Sequence, residues 1–449
     1  MDTGVNSPQT KDIRFWGLVW PIWLEMFLLL FMGNSDAWML SFVSDEAVAA
    51  VGWANQYIVL ALLVMRVVTV GTQVMLAQYL GAEQWQRAAK IAADSLALNA
   101  AAGIVLSVLL IVFRKPLLLL LHTDAAVMGE AESYLAIVGG GLFAQSAVNG
   151  LSGILRTYGY AREALYASVA MNVLNVAGNA VLIFGWRFIP AMGVTGAAIA
   201  TMGSRIVVAL LMAGLLVRLT PVRLTPSTLF SMSPSDARSM AAIGAPAAAE
   251  TFTYHAVQTL FLSWIGLMGT EAVASRQYVM NITMFISLFS GALSTANSIV
   301  VGRLAGAREA ERACLQTFRS VRWSFLLVLG ASVIVILHRE RLIGIFSQDP
   351  LVLEWGSLLL VLNVMLETGK AISMNVVGSL RSVGDAKITA WMGLISMVGI
   401  SLPVAYFLGV TFGLGLAGIW IATAIDEWVR GLVLMKRWKR RRWEALHLL

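Results

Sequence analysis

Apolar residues fall in long blocks along this chain, and polar residues gather in the short stretches between them. Blocks of roughly 20 residues or more, enough for a helix to cross a hydrocarbon core, lie near 15–42, 47–79, 90–113, 126–152, 163–186, 192–218, 238–268, 271–302, 314–338, 351–379, 388–411 and 413–435. Backbone groups cannot stay unpaired in lipid, so each block predicts a helix. The expectation is an all-α integral membrane protein with twelve transmembrane helices.

The chain is also written twice. GILRTYGYAR (153–162) returns as GSLRSVGDAK (378–387), an offset of 225. The same offset pairs QYLGAEQWQRA (78–88) with RLAGAREAERA (303–313), and Pro21, Glu25 and Phe27 with Pro246, Glu250 and Phe252. GVTGAAIAT (193–201) returns as GLAGIWIAT (415–423), with the offset slipped to 222. A repeat this long is not a solenoid module; it predicts two homologous six-helix lobes. The expected organisation is an N-terminal segment (1–13), an N-lobe (14–218), a Pro-containing linker (219–237), a C-lobe (238–437) and a basic tail (438–449).

Composition agrees. Hydrophobic residues make up 58% of the 449 positions and charged residues 13%, about half the charge of a soluble domain. Most of the 32 Lys and Arg fall near the termini or in the loops between even and odd spans, among them Arg87, Lys90, Arg156, Arg162, Arg303, Arg308, Arg381, Lys387 and the run 436–442. That bias places both termini in the cytoplasm. An even number of spans per half then makes the halves parallel, related by a pseudo-two-fold axis along the membrane normal. The net charge of +7 therefore reflects cytoplasmic loops rather than nucleic-acid binding, and the tail can also meet anionic lipid. Residues 1–13 lack a basic n-region, so no cleavable signal peptide is expected. Cys314 is the single cysteine, so no intramolecular disulfide can form. The four histidines (122, 255, 338, 447) have no metal-ligand spacing. There is no Walker A loop and no G-x-S-x-G elbow. Neither an ATP-driven pump nor an enzyme fits.

Ionisable residues at membrane depth are the functional candidates. The first span carries Glu25 and Asp36, three helical turns apart on one stripe, about 16 Å. The fifth presents Asn172, Asn175 and Asn179 at i, i+3, i+7 on one face; they either glue helices together or complete a polar pocket with Asp36. Asp36 pairs with Phe261 across the repeat, Asn175 with Ile400 and Asn179 with Val404. An architectural role would recur in both copies, so the N-terminal half is the expected seat of a proton or cation site. Glu25 and Glu250 recur, each four residues after a proline; they either face a shared central cavity or are structural. The other central-cavity candidates are Tyr254, His255, Glu367 and Lys370. Glu367 and Lys370 are spaced to pair, as are Asp426 or Glu427 with Arg430. Arg66, Arg205 and Arg276 are further partners for these carboxylates.

These residues carry a resemblance. Pro21 and Asp36, AVAAVGW (47–53), GTQVMLAQYLGA (71–82), LRTYGYAREA (155–164), the Asn175–Asn179–Gly185 run and MGVTGAAIAT (192–201) follow one another in the first half. GAP (244–246), VVGRLAGA (300–307), LRSVGDAK (380–387) and GLGLAGIWIAT (413–423) follow in the second. Over about residues 14–438 the chain resembles the MATE (multidrug and toxic compound extrusion) transporters. LETGKAISMNVVGSLRSVGDAK (366–387) and DEWVRGLVLMKRW (426–438) are similar to one bacterial branch.

The resemblance implies a twelve-helix antiporter whose lobes form a V-shaped cleft, alternate access, and exchange organic cations for H⁺ or Na⁺. It implies a multi-pass protein of the inner (plasma) membrane, working as a monomer on a small molecule within the bilayer, with no cofactor beyond the coupling ion. The family's N-lobe coupling positions fall on Asp36, Asn175, Asn179 and Thr201. Asn179 stands where the family has a second carboxylate, which weakens a Na⁺ cage more than a proton site. The seventh-span Glu position is Tyr254 and the tenth-span Asp position is Lys370, which puts a C-lobe cation site in doubt. Two alternatives stay open on the same kind of fold: a flippase of lipid-linked oligosaccharides, for which Arg66, Arg276 and Lys370 could line a basic cleft, and an exporter of an anionic metabolite.

Overall fold

The computed structural model describes residues 14–225 and 232–445; the N-terminal segment 1–13, Pro226 of the expected linker and His447 lie outside the described residues. Every long element among the described residues is helical, and the β contact present is the isolated bridge Trp186–Ile189. The chain divides into two compact units, Met1–Gly244 and Ala245–Leu449.

The N-unit contains α1 (Phe15–Ser41), α2 (Asp45–Gly81), α3 (Trp85–Leu120), α4 (Ala125–Gly139), α5 (Leu142–Tyr158), α6 (Ala161–Phe184) and α7 (Gly193–Leu219). The division falls inside α8 (Pro234–Gly266). The first turns of α8 belong with the N-unit: Asp236 pairs with Arg87 of α3 at 2.5 Å, and Met240 meets Thr72 of α2. The C-unit continues with α9 (Thr270–Gly306), α10 (Ala310–Leu337), the short α11 (Arg339–Gly344), α12 (Pro350–Ser382), α13 (Ala386–Thr411) and α14 (Gly415–Lys439).

Local chemistry sets the helix ends. Ser44 accepts from the Ala47 amide at the start of α2, with Asp45 and Glu46 in the first turn facing the positive helix end. Asp349 accepts from the amides of Leu351 and Val352 at 2.8 and 3.2 Å, and Pro350 follows it at the position where a missing N–H costs nothing. Along α13, π-turns at Met397–Ser401 and Tyr406–Thr411 flank Pro403. Proline removes one ladder donor and crowds the carbonyl a turn before it, and a widened turn relieves both.

The helical layout agrees with the twelve-span expectation, and two details refine it. The block at 126–152 is not one straight span: α4 and α5 meet at a 43° bend. The break falls in the run Gly139–Gly140–Gly141, after a π-turn at Leu135–Gly139, where glycine is the poorest helix former short of proline. And the twelve blocks are not equally apolar. Nine described helices are long and apolar enough to cross a membrane, or up to ten if the bent pair is one span. The helices α8 and α14, read as spans, are more polar: α14 holds Asp426, Glu427 and Arg430 close together, and α8 holds Glu250 among Thr, Tyr, His and Gln residues.

The repeat is visible as geometry. Gly159 and Gly384 close the turns after LRTY and LRSV with φ of +100° and +93°, a left-handed conformation that a side chain resists. Gly196 and Gly418 occupy the same place in the two -GxxG- motifs. A Cβ at Gly196 would lie 2.4 Å from the Leu182 carbonyl oxygen, and one at Gly418 2.5 Å from the Gly409 nitrogen. So α7 approaches α6, and α14 approaches α13, through a bare backbone.

The second duplicated feature is a buried ion pair. Arg156 donates to Glu25 at 3.3 Å, and Ser152 also donates to that carboxylate. In the C-unit Arg381 pairs with Glu250, and Arg430 donates to its other oxygen at 3.3 Å. Arg430 also pairs with Glu427, which accepts from Ser373. In each unit the helix after the proline is thus pinned to the LRxxG turn. Isolated charges at this depth would be far more costly than the pair.

Two stability outcomes follow. Gly418→Val should overpack the α13–α14 contact and destabilise by about 1–3 kcal/mol, whereas Gly203→Ala, which meets nothing within 4 Å, should be silent; heat-induced aggregation of detergent-purified protein compares them. Glu25→Ala should cost about 3–5 kcal/mol by stranding Arg156. Glu250→Ala, which strands Arg381 and leaves Arg430 with Glu427 alone, should cost at least as much in the same assay.

Candidate functional site

In the N-unit, α6 packs against both α1 and α7, and their facing sides carry a buried polar cluster. Asp36 of α1 accepts from Asn179 Nδ2 at 2.5 Å through one oxygen and from Thr201 Oγ1 at 3.2 Å through the other. Asn175 donates to Thr201 at 3.1 Å, and Asn179 contacts Asn175 at 3.5 Å. Asp36 is 6% exposed, and Asn175, Asn179 and Thr201 are 1% or less. The four residues expected at the coupling site are therefore brought together. Asn172 lies outside the cluster and donates back to the Ser168 carbonyl of its own helix at 2.9 Å.

Two neighbours complete the surroundings: Arg205, expected as a partner of these carboxylates, and Tyr134, which was not expected. Arg205, one turn beyond Thr201 on α7, and Tyr134 of α4 are both buried and within electrostatic range of Asp36. The i, i+4 spacing from Thr201 marks Arg205; nothing in the sequence marks Tyr134. Arg205 makes no ion pair with Asp36 among the described residues, and its Nε and Nη1 have no hydrogen-bond partner.

The cluster has the means to hold either protonation state of Asp36. As drawn, an N–H and an O–H point at the carboxylate. Asn179 Oδ1 is buried without a partner. A protonated Asp36 needs an acceptor, and a half-turn of the Asn179 amide supplies one. The cluster also gathers the oxygens of Asp36, Asn175, Asn179 and Thr201, with a single negative charge among them.

The C-unit holds a different arrangement. A cavity of about 390 Å³ opens between α8, α9, α12 and α14, lined among others by Tyr254, Arg276, Glu367, Lys370, Trp420 and Glu427. Ser287 donates to Glu367 at 2.8 Å, while Lys370 reaches Ser287 at 2.9 Å and Glu367 at 3.5 Å. So Tyr254, Glu367 and Lys370 do face a cavity, and Glu367 and Lys370 pair as their spacing implied. Three other cavity candidates do not. Glu25 and Glu250 are consumed by the duplicated ion pairs. His255 is exposed, one position on from Tyr254 and turned off the cavity wall. Of the pairings expected near the chain end, Glu427–Arg430 forms; Asp426 Oδ1 is buried without a partner. Among the described residues there is no cluster of three His, Cys, Asp or Glu that could hold a metal.

Known proteins place the chain. The MatE family model matches residues 21–181 and 246–407, one block in each unit. The chain is 36% identical to the "Uncharacterized transporter YisQ" of Bacillus subtilis (strain 168), covering 98% of this chain and 97% of that protein. It is 26% identical to the "Probable multidrug resistance protein NorM" of Thermotoga maritima, covering 95% and 92%. Among solved structures, the "Crystal structure of MATE in the bent conformation" has the same fold, with a TM-score of 0.88 at 22% identity over 96% of this chain and 95% of that one. The matched blocks take in Asp36, Asn175 and Asn179 in the first half and Glu367 and Lys370 in the second. With two family blocks set in two all-helical units, the chain belongs to the MATE family of multidrug efflux transporters.

Proposed function

We propose that this protein is a secondary active transporter that exports small organic compounds across the plasma membrane in exchange for protons, with Asp36 as the group that carries the proton. The observation behind the reading is the buried Asp36 cluster: one titratable group among neutral amides and a hydroxyl, with an unpaired amide oxygen beside it. Both termini face the cytoplasm in this reading, the protein acts as a monomer, and H⁺ is its coupling ion.

A proton entering from the outer side neutralises Asp36 and reverses the hydrogen bond that Asn179 makes. Substrate and proton each favour one of two lobe arrangements, and the coupling is the difference in their affinities for the two. Release of the proton to the cytoplasm returns the cycle. Arg205 remains charged throughout, since a guanidinium does not deprotonate in proteins. It gives the cluster a fixed positive neighbour.

Everted membrane vesicles, with pH and Na⁺ gradients imposed separately and a cationic (ethidium) and an anionic (2-naphthoate) aromatic probe compared, test this. An acid-interior gradient should drive uptake, and a Na⁺ gradient alone should not. Asp36→Asn should reduce pH-driven uptake to the level of vesicles lacking the protein. Thr201→Ala removes one donor worth about 1 kcal/mol and should slow uptake only partly. Full pH-gradient dependence in Asp36→Asn would sink the proposal.

A further inference from the structure

We infer that the C-unit cavity binds the anionic group of an amphipathic aromatic compound, with Arg276 and Lys370 holding a carboxylate and the aromatic side chains holding the ring. The inference deepens the transport reading and rests on it only for calling the bound compound cargo.

The way charges are paired along the cavity wall points to an anion. Four ionisable side chains with fixed charge line it: Arg276, Lys370, Glu367 and Glu427. Glu367 is matched by Lys370 and Ser287. Glu427 is matched by Arg430 and Ser373, and Arg430 is shared with Glu250, which Arg381 also holds. Asp426 lies outside the lining. Arg276 is what remains. It is 8% exposed, takes part in no ion pair among the described residues, and donates to a neutral amide, Gln258 Oε1, at 3.0 Å. A buried guanidinium with no counter-ion is costly, and here its open side is a cavity. Lys370 faces the same space, so a carboxylate there meets a forked donor and a point charge together.

The rest of the wall suits the other end of such a molecule. Trp420 and Tyr254 present aromatic surface, and Trp420 is held by a 3.3 Å bond from its indole N–H to Asn363. Met280 and Met284 add flexible apolar contact. The volume of about 390 Å³ lies in the range of small-molecule sites.

The repeat gives an independent argument. EAVAAV (46–51) of the first half returns as EAVASR (271–276) in the second. The scaffold at that point is duplicated, and the arginine replaces Val51. Across the same offset Lys370 replaces Gln145. At both positions the sister unit carries no charge, and both cations stand where they line a cavity.

Equilibrium binding of radiolabelled 2-naphthoate and 2-naphthylmethylammonium to the full-length protein in nanodiscs, with empty nanodiscs subtracted, tests the inference. The two probes share a ring and differ in the sign of charge. No gradient is present, so failure of proton coupling cannot produce failure here. Naphthoate should bind at least about tenfold more tightly, the scale of one charge-assisted hydrogen bond. Arg276→Gln should remove that preference, and Arg276→Lys should retain most of it. Equal binding, preference for the ammonium, binding of neither probe, or an unchanged preference in Arg276→Gln would each overturn the inference. The comparison of the two probes on the unaltered protein needs no variant to fold.

Discussion

A carboxylate in a membrane interior must be matched by a cation or a proton, and that requirement organises both units. Glu25 with Arg156, and Glu250 with Arg381, use the same solution at equivalent positions. The acid sits on a long helix four residues after a proline; the base sits just before a left-handed glycine that ends another helix. Each pair ties elements far apart in sequence. The remaining charges are arranged around these two fixed points. In the C-unit the pair grows into a chain of Arg381, Glu250, Arg430 and Glu427, which reaches the cavity wall.

The sequence exposed the scaffold well and the pairings poorly, for one physical reason. Local spacing is legible and long-range contact is not. The Asn175–Asn179 face could be read from helical periodicity, and its link to Asp36 from the absence of all three in the second copy. The partner of Glu25 lies 131 positions away, and nothing in either stretch announces the other. The Glu367–Lys370 and Glu427–Arg430 pairs were legible because they are one turn apart. The bend near Gly140 was signalled by three consecutive glycines but hidden by the apolar block around them. His255 looked like a cavity residue because of its neighbours in sequence. One helical position is a rotation of about 100°, enough to turn its side chain from the cavity that Tyr254 lines.

The two units also differ in where they keep charge. In the N-unit an acid stands on α1 and a base on α7, as Asp36 and Arg205. Across the repeat the α1 position becomes Phe261 on α8, and the α7 position becomes Glu427 on α14, by the offset of 222 that aligns the two -GxxG- motifs. The acid is replaced by a neutral ring and the base by an acid. The acid that α14 gained is neutralised one turn away by Arg430, so it does not serve as the counter-ion of the cavity. Among the described residues Arg276 is then left on the cavity wall without an ion pair, donating to the neutral Gln258.

Such divergence is open to a duplicated protein because its scaffold contacts do not depend on these positions. The LRxxG ion pairs and the close approaches at Gly196 and Gly418 hold each unit whatever lines its interior. An exchanger must bind two unlike species, and a single site that serves both forces them to compete for one group. In the proposed reading the titratable carboxylate and the fixed cation lie in different units. The proton then need not displace the cargo from Arg276, and the cargo need not protect Asp36 from water. Coupling would pass through the balance between conformations rather than through a shared ligand.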